Sequence, residues 1–182
     1  MANRFLIKPD STLQSTNSHL LFKARKIKLV LTDNDGVLTD TGVYYSEEGE
    51  VFKRFSIRDG MGVERLRSEL GIETGIISGE ISGSLKKRAE KLKIKEVLLG
   101  VKDKKLMLSE IEKRHNIKAD NIAYIGDDVN DIEIIKLVGL SASPADGMPE
   151  IRNIVDYVCK EKGGNGAFRE FAELIIALIS GR

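Results

Sequence analysis

From Lys26 onward, short runs of β-branched and aliphatic residues alternate with longer stretches whose apolar positions recur at helical spacing. That alternation predicts βαβ units and a mostly parallel sheet. The strand candidates are Lys28–Thr32, Thr74–Ile77, Glu96–Leu99, Ala123–Ile125, Leu140–Ala142 and Asp156–Val158. Helical patterns cover Gly60–Leu70, Ser82–Leu92, Lys104–His115, Asp131–Lys136 and Ala167–Ile179. One segment departs from the alternation. Val43–Ser46, a Glu-Glu-Gly-Glu turn and Val51–Phe55 read as a β-hairpin, spanning 43–55, inserted after the first strand. The expected architecture is therefore α/β, a Rossmann-like three-layer sandwich around a central parallel sheet, in one domain over 27–182. Residues 1–26 read as a polar N-terminal extension.

Composition narrows the function. With 29 Lys and Arg against 28 Asp and Glu, the net charge of +1 gives no broad basic face for a nucleic-acid backbone. The longest apolar run, Leu174–Ile179, falls far short of the roughly 20 residues that span a bilayer, so no membrane partner is expected. The single cysteine, Cys159, forms no internal disulfide and no Cys/His cluster has zinc spacing. A cytoplasmic setting fits these features best.

The candidate chemistry lies where strands end. The first strand runs into Asp33-Asn34-Asp35-Gly36, and residues i and i+2 of an extended chain point the same way, so Asp33 and Asp35 converge. Two such carboxylates repel unless a cation or a shared proton intervenes. Taken alone, this is also what a turn rich in Asp, Asn and Gly looks like. An EF-hand loop fails because Leu31 and Gly42 would occupy its first and last ligand positions. Three further strand ends carry Ser78-Gly79, then Lys102-Asp103-Lys104, then Gly126-Asp127-Asp128 with Asp131 beyond. In open α/β sheets ligands bind outside the carboxyl ends of the strands, where all four segments fall.

In this order the residues resemble the four motifs of the haloacid dehalogenase-like phosphatases. The resemblance implies Mg2+ as cofactor and a role for each position. Asp33 would be the nucleophile that forms an aspartyl-phosphate, and Asp35 the acid and base for the leaving oxygen and the water. Ser78 would donate to a phosphoryl oxygen and Lys104 would neutralise charge. The metal would be held by Asp33, Asp127 and the backbone carbonyl of Asp35, supported by Asp128 and Asp131.

Neither gap between motifs leaves room for a cap domain. The chain thus resembles the capless, tetrameric branch that includes the 3-deoxy-D-manno-octulosonate 8-phosphate phosphatases and the nonulosonate 9-phosphate phosphatases. In that branch the hairpin builds a tetramer core, and a neighbour's glycine-rich C-terminal tail, here 163–182 with Gly163, Gly164 and Gly166, covers the site. The same resemblance brings in Arg58, Asp59, Gly60, Gly79, Glu80, Arg88, Lys91 and Lys104 as substrate-binding residues. Octulosonate enzymes usually read Thr-Gly-Arg at the second motif, whereas this chain reads Ser78-Gly79-Glu80. With Lys91, Glu80 resembles the nine-carbon enzymes, so a nonulosonate (KDN or sialic acid) 9-phosphate is the first expectation. The octulosonate 8-phosphate of lipopolysaccharide biosynthesis is the alternative. A non-catalytic tetramerisation module, of the kind attached to some sialic acid cytidylyltransferases, is a third.

Overall fold

In the computed structural model, which describes residues 11–181, the six apolar runs form one sheet in the order β5-β4-β1-β6-β7-β8, every neighbouring pair parallel. The strands are β1 (Leu29–Thr32), β4 (Glu73–Ile77), β5 (Glu96–Leu98), β6 (Ile122–Ile125), β7 (Leu140–Ser143) and β8 (Tyr157–Val158). Strands β2 (Val43–Ser46) and β3 (Gly49–Lys53) make a separate antiparallel hairpin between β1 and helix α2 (Ile57–Leu70). No cap domain follows.

The central strands are apolar throughout because both faces are covered, as parallel sheets require. Successive side chains alternate between two cores. Val30, Ile76, Ala123 and Ile125 pack with α2, α3 (Gly83–Leu92) and α7 (Ala167–Ser180). Leu29, Leu31, Ile77 and Tyr124 pack on the other side with α4 (Lys104–His115), α5 (Ile132–Ile135) and α6 (Pro149–Arg152). The result is the expected three-layer α/β sandwich.

Helix ends follow the local chemistry. Ser56, Ser82 and Asp103 cap α2, α3 and α4 by accepting a backbone N–H within the first turn. Gly71, Lys93 and Asn116 close the same helices in the left-handed conformation. The segment expected as one helix over Asp131–Lys136 instead opens with a 3-10 turn, Val129–Asp131, capped by Asp128, and only then becomes α5.

Two expectations are corrected. Residues 1–10 lie outside the described residues, but Ser11–Ala24 form helix α1 rather than a polar extension. Leu20 and Ala24, one turn apart, are buried in the core against α7. The 163–181 segment, expected as a tail, packs on its own chain. Gly164 donates its N–H to Val37 (2.8 Å) and Gly163 donates to Asp146 Oδ1 (2.9 Å). A Cβ on Gly163 would lie 1.9 Å from the Gly36 carbonyl oxygen, so only glycine permits this approach to the same chain's first loop. Beyond Gly166, helix α7 buries Phe168, Phe171 and Ile175, and burial on that scale holds it to its own core.

Candidate active site

The carboxyl ends of β1, β4 and β6 and the start of α4 meet at one edge of the sheet. There a cavity of about 350 Å³ is lined by Asp33, Asp35, Thr41, Ser78, Gly79, Glu80, Asp127, Asp128, Val129 and Asn130. Asp33 continues β1, donating its N–H to Ile125 (3.0 Å), while its Oδ1 accepts from the Asn34 N–H at 2.7 Å. Asp35, two residues on, also reaches the cavity, as the pleat requires. Ser78 extends β4 with an N–H bond to Leu98 (2.8 Å), and its Oγ accepts from the Glu80 N–H at 3.2 Å.

Lys104 is the first residue of α4, so its side chain leaves the helix just where the strands end. Its ammonium lies 3.1 Å from Asp33 Oδ1 and 2.6 Å from Asp131 Oδ1, with both lysine and carboxylates almost wholly buried. The Tyr124 hydroxyl, on β6, also donates to Asp131 Oδ1 (2.6 Å), and Asp131 Oδ2 accepts the Asp127 N–H at 2.9 Å. Asp131 therefore spends both oxygens on orienting Lys104 and the Asp127 loop. Gly36 gives Asp127 its place. Its φ of +85° is left-handed, and a Cβ there would sit 2.0 Å from Asp127 Oδ2.

The electrostatics are unbalanced. Carboxylate oxygens of Asp33, Asp127 and Asp131 lie within 4.8 Å of one another, and Lys104 is the ammonium among them. Burial, then the charge of Asp131, pushes the Asp33 carboxyl well above the usual range. Burial, then Asp33 and Asp131, pushes Asp127 up to about 8. Burial alone would lower the Lys104 ammonium, but Asp33 and Asp131 hold it above the usual lysine value. Asp127 Oδ1 is buried without a hydrogen-bond partner. A hard dication fits this donor set, since it relieves the repulsion and takes the unpaired lone pair.

Of the residues expected from sequence, Asp33, Asp35, Ser78, Gly79, Glu80, Lys104, Asp127, Asp128 and Asp131 are thus brought together. The other expected substrate contacts are not in this cavity. Asp59 is buried between α2 and α7, where its Oδ1 accepts the Arg169 N–H (3.0 Å). Gly60 is buried beneath Arg88, whose guanidinium donates to the Ser56 carbonyl at 2.7 Å. Arg58 lines a separate surface cleft with Lys160, Arg169 and Glu173. Lys91 is exposed on α3. These residues belong to α2 and α3, whose inner faces are committed to the core, so helical geometry turns the remainder elsewhere.

Two residues were missed by sequence reasoning. Tyr124 carries a signal, a hydroxyl inside an otherwise aliphatic strand, which demands a buried partner. Lys53 carries none, because a lysine ending a hairpin strand is ordinarily solvated. In the structure it is buried and its ammonium lies 2.7 and 2.8 Å from the two oxygens of Asp35.

The comparisons with known proteins agree with this geometry. Residues 63–171 match the family model of the haloacid dehalogenase-like hydrolases. The 3-deoxy-D-manno-octulosonate 8-phosphate phosphatase of Haemophilus influenzae is 38% identical over 154 residues, covering 85% of each chain. A cobalt-bound structure of that Haemophilus enzyme superposes with a TM-score of 0.84 at 37% identity, covering 87% of this chain and 92% of the other. The Moraxella catarrhalis enzyme, solved with a magnesium ion, phosphate and KDO, gives a TM-score of 0.85 at 36% identity, with 90% and 94% covered. Motif residues at three strand ends and the start of α4, a matching sheet and this degree of identity lead to one statement: the chain belongs to the haloacid dehalogenase-like hydrolases.

Proposed function

We propose that this chain is a Mg2+-dependent phosphatase that removes phosphate from 3-deoxy-D-manno-octulosonate 8-phosphate through an aspartyl-phosphate. The observation that carries the reading is the convergence of Asp33, Lys104, Asp127 and Asp131 beside Ser78 at the carboxyl edge of a parallel sheet. Its relatives include enzymes named for that substrate and a structure solved with Mg2+.

Asp33 attacks phosphorus, and the P–O bond to the sugar breaks as Asp35 gives a proton to the leaving oxygen. Asp35 then takes a proton from the water that attacks the acyl phosphate, which frees phosphate and restores Asp33. Ser78 donates to a phosphoryl oxygen and Lys104 offsets the charge shared by Asp33 and the phosphoryl group. Mg2+, held by Asp33, Asp127 and the Asp35 carbonyl, would neutralise phosphoryl oxygens during transfer. Asp128 and Asp131 orient that loop.

The first expectation from sequence favoured a nine-carbon acid, and the relatives reverse that order. Glu80 keeps the second reading alive, because it lines the cavity where a positive side chain would meet a substrate carboxylate. Lys91, its expected companion, is not on the cavity. The non-catalytic module finds no support, since the motif side chains are all present and Lys104 joins Asp33 to Asp131. Phosphate release with Mg2+ separates the substrates. The proposal predicts a kcat/KM for the octulosonate 8-phosphate at least about tenfold above that for nonulosonate 9-phosphates, roughly 1.4 kcal/mol of discrimination. The reverse ratio would restore the nine-carbon reading.

The same proposal includes a homotetramer built on the hairpin and a cytoplasmic location. Tyr44, Tyr45, Val51 and Phe52 are all at least half exposed, and Tyr44 stacks on Phe52 with centroids 4.5 Å apart. A two-stranded hairpin presenting aromatic rings to water is marginal without a partner. No helix among the described residues is long and apolar enough to cross a membrane.

A further inference from the structure

Asp35 is held more firmly than a carboxylate at a cavity mouth needs to be. Its Oδ1 accepts from Lys53 Nζ (2.7 Å), Asn34 Nδ2 (3.1 Å) and Thr39 Oγ1 (3.3 Å). Its Oδ2 accepts only from Lys53 among the described residues, at 2.8 Å. One oxygen is thus saturated, and the other keeps a lone pair for the cavity that Asp35 lines.

Lys53 is in turn fixed from behind. It is the last residue of β3, its side chain is 2% exposed, and its ammonium is 3.5 Å from Glu50 Oε2. Glu50 Oε1 accepts the hydroxyl of Ser82 at 2.5 Å, and Ser82 is the cap that starts α3. An ion-pair chain therefore runs from the hairpin through Lys53 to Asp35 and is anchored on α3. Burying a lysine costs several kcal/mol unless it is fully paired, so a chain placed only to fasten a hairpin would be an expensive fastener.

We propose that Lys53 is a positioning residue for the acid and base step: by engaging both oxygens of Asp35 it aims Oδ2 at the phosphoryl ester oxygen. The proposal rests on the phosphatase reading above. In the forward half, the proton on Asp35 passes to the ester oxygen as the P–O bond breaks and the Asp33–phosphorus bond forms. In the second half, a water proton passes to Asp35 as water oxygen bonds to phosphorus and Asp33 leaves. No other reactant is needed.

The test uses leaving groups. An alkoxide needs a proton to depart, whereas p-nitrophenolate scarcely does, so misaiming Asp35 affects the two substrates differently. With Lys53→Met, a near volume-conserving change, kcat for the alkyl ester 3-deoxy-D-manno-octulosonate 8-phosphate should fall by about 10²–10³, within the range general acid–base catalysis supplies, with KM changed less than about threefold. With p-nitrophenyl phosphate the same variant should release nitrophenolate in a burst near the wild-type rate, one equivalent per site, before slow turnover. Lys53→Arg, which keeps a bidentate cation on the carboxylate, should recover at least about a tenth of wild-type kcat. Should Lys53→Met not fold, Glu50→Gln loosens Lys53 and predicts the same selective loss at smaller size. Equal losses for the burst and for alkyl turnover, or no loss in either, would overturn the proposal. Wild-type protein inactive on both esters would instead remove the phosphatase reading beneath it.

Discussion

Lys104 stands between Asp33 and Asp131, and the fate of the cavity floor depends on that single ammonium. Asp131 accepts from Lys104, the Tyr124 hydroxyl and the Asp127 N–H, so Asp131→Ala leaves Lys104 with Asp33 alone and deprives the other two donors of an acceptor, which should cost about 1–3 kcal/mol per orphaned donor in urea unfolding. Asp33→Asn should leave the fold intact, since Lys104 keeps Asp131, yet abolish turnover. Chelation should likewise stop phosphate release. Mg2+ should raise the Tm of the wild type but not of Asp127→Asn, because binding to the native state alone stabilises it. At this scale the sequence was informative where residue type and chemistry coincide. Asp33, Ser78 and Asp127 are polar residues just past strand ends and Lys104 opens the helix after β5, where a phosphate site needs them. Lys53 was not legible, because nothing in Val-Phe-Lys-Arg-Phe says that the hairpin folds its lysine back onto a carboxylate 18 residues earlier.

Among the elements, α1 shows how a single buried stripe escapes notice. The short Leu20-Leu21-Phe22 run stands between polar and charged stretches, so the segment reads as a solvated tail, while the partner that buries Leu20 and Ala24, α7, lies more than 140 residues away in sequence. Leu20→Ala should destabilise the protein by about 2–5 kcal/mol, measured by chemical denaturation, whereas a true extension would tolerate it. The strands were legible because burial on both faces writes continuous apolar runs. The hairpin was legible only approximately: its second strand begins at Gly49 and ends at Lys53, because Gly49, at φ +115°, already turns the chain back. Asp59 provides a pH prediction at the α2–α7 contact. Burial pushes its carboxyl up to about 6 from an ordinary 3.8, so the folded state holds more protons than the unfolded between those values. Its contribution to stability is therefore fully present below the unfolded pKa and is lost as pH rises towards about 6. Asp59→Asn, neutral throughout, should gain stability relative to wild type across that window.

For the molecule as a whole, the hairpin carries both the exposed aromatic rings and, through Lys53, the ion chain to Asp35. If the hairpin is the tetramer core, Tyr45→Asp should lower the solution mass from four chains of 20.2 kDa each, read by light scattering. A wild-type monomer at micromolar concentration would contradict the assembly. The fold class and the edge of the sheet that carries the site were legible because strand order and motif order reinforce one another. The placement of Arg58, Asp59 and Arg88 was not, since a motif names residues near a site without saying which helix face they occupy. Substrate size was least legible, resting on Glu80 alone once Lys91 proved to lie on the outside of α3.

The central claim is that Asp33 carries the phosphoryl group in mid-reaction. Quenching the enzyme in acid during turnover with Mg2+ and 3-deoxy-D-manno-octulosonate 8-phosphate, then mapping the modification by peptide mass spectrometry, tests it directly. A hydroxylamine-labile phosphoryl group on the peptide containing Asp33, absent from Asp33→Asn, is the predicted result. Sustained turnover by Asp33→Asn, or a phosphoryl group found on another residue, would contradict it.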